Sequence, residues 1–158
     1  MATDKFAVDV IDRMALIENI LNQIIEAFCE PRQEPFMFFW NVVLDGSVMS
    51  VGSKIRVVRA IAHEMDVKLD QKSIDIVISL RNAFAHHPSD SHAVLVVGKT
   101  PDQEKSHYEL QILSQSGRLS RKPRNDAFAE FNSSYRLAKA SLVGLLDKIK
   151  AARSSGAR

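Results

Sequence analysis

The chain has 158 residues, 46% apolar and 25% charged, with a net charge of only +2. These proportions are ordinary for a globular protein and exclude a disordered or fibrous class. A balance this close to neutral also excludes a surface given over wholly to phosphate contacts. The single cysteine, Cys29, permits neither an intramolecular disulfide nor a thiol-rich structural metal site, which fits a reducing compartment. Met1–Lys5 is not a basic segment leading into a long apolar run, and no stretch of about 18 or more apolar residues occurs. We therefore expect a cytoplasmic protein without membrane contact, built as one mainly α domain over 1–150 with a flexible tail over 151–158.

Val10, Met14, Ile17, Leu21, Ile24 and Phe28 recur at steps of four and three, which predicts a long amphipathic helix from Asp4 to about Cys29, stopped by Pro31. Pro35 suits the first turn of a short helix through Phe36, Phe38, Phe39, Trp40, Val43 and Leu44, too apolar all round to face solvent and ending at Asp45-Gly46. Ser50 or Ser53 caps a third helix with Ile55, Val58, Ile61, Ala62 and Met65 inward and Lys54, Arg56 and Arg59 turned outward. Asp70 caps a fourth helix holding Ile74, Val77, Ile78 and Leu80, which Pro88 ends near His86 or His87.

Beyond Pro88 the periodicity changes. The β-branched run Ala93–Val97 and the alternation of Tyr108, Leu110 and Ile112 with Glu109 and Gln111 predict an antiparallel hairpin near 92–114. A basic loop from Ser116 to Arg124 follows, with Gly117 and Pro123 as breakers. Asp126 then caps a last long helix through Phe128, Phe131, Tyr135, Ala138, Leu142, Leu145 and Ile149. The fold class expected is thus a bundle of four to five helices with a small hairpin insertion.

Chemistry is concentrated at Arg81-Asn82-Ala83-Phe84-Ala85-His86. Residues four apart in a helix stand about 40° apart on one face, so Asn82 and His86 are neighbours, and the long side chain of Arg81 can bend beside them. Leu80 and Phe84 fall on an apolar stripe that would fix this turn to the bundle. A purely structural role is open as well, since all three polar groups can serve the carbonyls and dipole of a helix C-terminus. Lys54, Arg56 and Arg59, and separately Arg118, Arg121, Lys122 and Arg124, are either local phosphate contacts or solvated faces. The aromatic residues Phe36, Phe38, Phe39 and Trp40 fit a core plug or a subunit contact, and less well a stacking platform. His63, His92 and His107 lack ligand spacing, and Cys29 has no motif around it, so neither a metal nor a cofactor is implied.

The stretch Ser79–Pro88, with Asn82 directly after Arg81 and His86 four beyond it, resembles the HEPN superfamily, the higher eukaryote and prokaryote nucleotide-binding domains, whose motif is Arg, four to six residues, then His. Gly52-Ser53-Lys54-Ile55, one helix upstream, is similar to the branch containing the mannitol-operon repressor proteins. The resemblance spans roughly residues 35–90, and the hairpin insertion departs from it. His87 satisfies the same motif and rivals His86.

The resemblance implies a metal-independent RNA endonuclease acting as a homodimer. Arg81, Asn82 and His86 would be its catalytic residues, and Lys54, Arg121, Lys122 and Arg124 would meet the RNA. A toxin paired with an antitoxin protein, or a phage-defence effector, would suit such an activity. A non-catalytic HEPN domain that binds a protein or nucleotide as a regulator is the alternative.

Overall fold

The computed structural model describes residues 5–31, 37–86, 93–96 and 105–155, with strand residues 93–96 and 105–108 described by their backbone. The chain is mainly helical: α1 (Lys5–Cys29), a wide π-helical turn (Phe39–Val43), α2 (Val51–Glu64), α3 (Gln71–His86), strands β1 (Ala93–Val96), β2 (Lys105–Leu113) and β3 (Leu119–Pro123), and α4 (Arg124–Ser154). The expected helical bundle with a small antiparallel hairpin is what forms. The backbone contacts divide it into two compact units, residues 1–14 with 71–138, and residues 15–70 with 139–158.

In the first unit Val10 and Met14 of α1, Ile74, Val77, Leu80, Ala83 and Phe84 of α3, Leu110 and Ile112 of β2, and Phe131, Tyr135 and Ala138 of α4 are buried. Phe6 stacks on Phe128 with ring centroids 4.4 Å apart, and Arg13 donates to Asn132 Oδ1 at 2.6 Å, so α1 and α4 lie side by side and run the same way here. The Arg13 guanidinium also lies over the Tyr135 ring, 5.7 Å from its centroid. The Tyr135 hydroxyl is pushed above its ordinary value by burial, partly offset by that cation.

The sheet has the order β1-β2-β3, all antiparallel, with Ala93 opposite Tyr108 and Leu113 opposite Leu119. The third strand stands where a basic loop was expected. Leu119-Ser120-Arg121-Lys122-Pro123 carries little apolar alternation, and what makes it a strand is the turn at 114–118. There the Ser114 amide donates to Arg118 O and the Gly117 amide to Ser114 O, both at 2.9 Å, while Gly117 adopts φ 82°, a conformation glycine takes without steric cost. Pro123 closes the strand at its end, where a missing amide does no harm. With β3 formed, α4 starts at Arg124, two residues before the expected cap, and Asp126 sits in its first turn.

In the second unit Ile17, Leu21, Ile24, Leu44, Ile55, Val58, Ile61, Leu142, Leu145 and Ile149 make the core. Ser50 caps α2, its Oγ accepting from the Ser53 amide at 3.2 Å. The helix ends on Asp66 at φ 50°, with the Val67 amide reaching back to Ala62 O, a Schellman closure built on aspartate in place of glycine.

Expectations for the apolar segment and for the tail fail in this unit. The apolar segment before Asp45 is not sealed from solvent: Met37 and Phe38 are each 61% exposed, because one wide turn rests on the core through Leu44 and offers only one side to it. The tail beyond 150 is not frayed at its start. Ala151 and Ala152 favour helix, and Arg153 Nε pairs with Glu30 Oε1 at 2.5 Å, carrying α4 to Ser154. Pro35, Phe36, His87, Pro88, His92 and residues 156–158 lie outside the described residues, as does the side chain of His107.

Candidate functional site

Helix α3 ends at His86, so the Arg81–His86 stretch forms its last turn and a half. Leu80, Ala83 and Phe84 are buried at 1%, 5% and 2% exposure and fasten this turn to β2 and α4. The Phe84 and Phe128 rings meet nearly perpendicular, with centroids 6.5 Å apart. The other side of the turn is polar. Asn82 is half-buried and His86 exposed, and both open into a groove of about 560 Å³ that they line with Ser79, Gln111, Ser114 and Gln115.

Arg81 is half-buried, and its Nη1 donates to Asn82 Oδ1 at 3.1 Å. Its Nε is buried without a hydrogen-bond partner. Guanidinium N–H groups are rarely left so, because an unmet donor loses its hydration without return. Arg81 therefore reaches the groove through Asn82 and does not itself line it. The expected convergence of Arg81, Asn82 and His86 is resolved into a chain: Arg81 holds Asn82, and Asn82 shares the groove with His86.

The basic residues expected to meet a substrate fall into different settings. Lys54 is not turned outward: it is 1% exposed, and its Nζ lies 2.5 Å from Glu18 Oε1 on α1. Its position explains this, since 54, 58 and 61 share one helical face with the apolar stripe of α2. Arg121 is exposed on β3 directly opposite Gln111, which lines the groove, so the two side chains share one face of the sheet. Lys122 points to the other face and pairs with Glu130 Oε2 at 2.6 Å.

Arg124 lies over the Phe84 ring with its guanidinium carbon 4.9 Å from the centroid, and burial pulls its guanidinium below the ordinary value. It braces the motif turn from behind. Arg118 at the hairpin turn is exposed, as is Arg56, while Arg59 is half-buried on α2.

The 114–118 turn also belongs to the site, although no motif marks it: Ser114, Gln115 and Gly117 line the groove with His86. The signal was present in Leu113 and Leu119 flanking a glycine-bearing turn, but it requires recognising β3 first. Among the described residues, no three histidine, cysteine, aspartate or glutamate side chains gather closely enough to hold a metal ion. No helix among them is long and apolar enough to cross a membrane. No family model, no curated protein and no solved structure matches the chain.

Proposed function

We propose that the chain is a HEPN-like RNA endonuclease that cuts by internal transesterification without a metal. The observation that carries this reading is the shared groove of Asn82 and His86, with Arg81 bound to Asn82 behind them. An RNA strand supplies its own nucleophile. The 2′-oxygen attacks the adjacent phosphorus, the bond to the 5′-oxygen breaks, and the products are a 2′,3′-cyclic phosphate and a 5′-hydroxyl. His86 is exposed and free to take the proton from the 2′-hydroxyl or give one to the departing oxygen, work for which imidazole is the usual group.

Asn82 orients the phosphate, and the Arg81 guanidinium, released from Asn82 or acting through it, opposes the charge that builds on the phosphoryl oxygens. Arg121, paired across the sheet with Gln111, and Arg118, next to Gly117, are exposed and would bring positive charge toward the strand. One Arg and one His are few groups for the reaction, so a two-fold homodimer that brings a second pair to the groove completes the proposal. A role as a toxin restrained by an antitoxin protein, or in phage defence, fits the same activity.

One observation favours a second reading. Arg81 is half-buried and occupied by its neighbour, which suits a groove that binds a nucleotide or partner without cutting. Incubating the purified protein with mixed RNA in EDTA separates the two. The endonuclease yields short fragments ending in cyclic phosphate, and Arg81→Ala does not. RNA that stays intact with the parent protein, or is cut equally by Arg81→Ala, overturns the first reading.

A further inference from the structure

A second cavity, about 490 Å³, opens on the other face of the hairpin in the same unit, between α3, β2–β3 and α4. It shares Ser79, Ser114 and Gln115 with the groove of His86, so the two hollows adjoin. Its size lies within the usual range for small-molecule sites, roughly 300–1,000 Å³. Its floor is apolar, formed by Ile76, Leu80 and Ile112, and its mouth carries Lys122 and Glu130, each 35% exposed.

The charges around this cavity balance. Lys72 and Lys122 stand against Asp75 and Glu130, so a phosphate would meet as much repulsion as attraction. What fits is a flat, neutral group with polar edges. The Lys122–Glu130 pair sets a donor directly beside an acceptor: Lys122 Nζ uses one N–H on Glu130 Oε2 and keeps others, and Glu130 Oε1 has no part in that bond. Guanine carries the complement, an O6 acceptor next to the N1–H and N2–H donors. Adenine and cytosine each offer a carboxylate one in-plane donor where guanine offers two.

We propose that this cavity is a guanine-binding subsite, formed by the Lys122–Glu130 pair over the Ile76, Leu80 and Ile112 floor, which selects the base of a nucleotide beside the cleavage groove. That the base belongs to an RNA strand rests on the endonuclease reading; the complementarity to guanine does not.

The test is titration of the ¹⁵N-labelled full chain with guanosine, adenosine and cytidine 5′-monophosphates, followed by amide shifts in metal-free buffer. GMP should saturate and bind at least about tenfold more tightly than AMP or CMP, as expected when a site's paired polar groups find or lose their partners. The shifts should centre on Ser79, Ser114, Gln115 and Ser120. Glu130→Gln should bring GMP down to the level of AMP, with melting confirming that the variant folds. Absence of saturation by about 5 mM, equal binding of the three nucleotides, or an undiminished GMP preference in Glu130→Gln overturns the proposal. Guanine preference alongside uncut RNA would leave this subsite standing and remove the endonuclease. Cleavage without guanine preference would do the reverse.

Discussion

The pair Lys54–Glu18 makes an asymmetric prediction, because its two members are buried so unequally. The Lys54 side chain is 1% exposed and that of Glu18 is 30% exposed. Removing the carboxylate in Glu18→Gln leaves an ammonium inside the α1–α2 contact, with Asp45 as a more distant counter-charge. Removing the ammonium in Lys54→Met leaves a carboxylate that can turn into water, while the methionine keeps most of the stem's packing. Stranding one partner of a buried pair typically costs about 3–5 kcal/mol.

The partial exposure of Glu18 and the presence of Asp45 place Glu18→Gln near the lower end of that range, about 3 kcal/mol, and Lys54→Met near 1 kcal/mol or less. At roughly 2–4 °C per kcal/mol for a chain of this size, the melting temperature should fall by about 6–12 °C for Glu18→Gln and by no more than about 4 °C for Lys54→Met. Circular dichroism melts of the two variants decide it. A larger loss for Lys54→Met than for Glu18→Gln would refute the reasoning, since the lysine would then be stabilising the fold by more than its own packing.

Other consequences follow from particular contacts. Asp45 Oδ1 accepts from both the Ser47 hydroxyl and the Ser47 amide, and these bonds hold its carboxyl below the ordinary value of 3.8. A depressed carboxyl contributes above its unfolded value, and the contribution is lost as pH falls through the folded one. The Ser47 amide should therefore stay protected from exchange down to about pH 4 and lose protection only below it. Asp45→Asn should flatten that dependence, as an NMR exchange series would show. On α4, Phe131 is fully buried whereas Leu137 is 57% exposed. Phe131→Ala should cost about 3–5 kcal/mol and Leu137→Ala less than about 1 kcal/mol in urea denaturation, and equal losses would mean that the helix is rotated from its described orientation.

Much of this molecule is legible in the sequence where period and burial agree. The stripes of α1 and α4 fall at steps of three and four, and Val10, Leu21, Phe131 and Leu145 are buried as the spacing requires. The helical course of Arg81–His86 follows from the spacing of Ile74, Val77, Leu80 and Phe84, and α3 is helical through His86. Lys54 defeated the reading because a lysine's type argues for the surface while its position, in phase with Val58 and Ile61, argues for the core. The outcome was decided by a glutamate 36 positions away. The strand Leu119–Pro123 was hidden for a related reason: its pairing partner and its turn supply the order, and its own residues do not.

Met37 and Phe38 show the limit of composition, since an apolar segment reads as buried whether or not the chain provides anything to cover it. At the site, the adjacency of Asn82 and His86 follows from helical spacing. The hairpin wall facing them, and the coupling of Arg81 to Asn82, do not.

If His86 moves a proton at a scissile phosphate, as proposed, its removal should all but abolish cleavage and leave the fold. His86 is exposed at the end of α3, while the turn is fastened by Leu80 and Phe84, so His86→Ala should alter stability by no more than about 1 kcal/mol. General acid–base catalysis contributes about 10² to 10⁴ in rate. Single-turnover cleavage of RNA in EDTA should therefore slow by about that factor in His86→Ala, while RNA binding persists through Arg121 and Arg118. Cleavage by His86→Ala at the parent rate would contradict the assignment, and a variant that fails to fold would show that His86 serves the helix end and not the reaction.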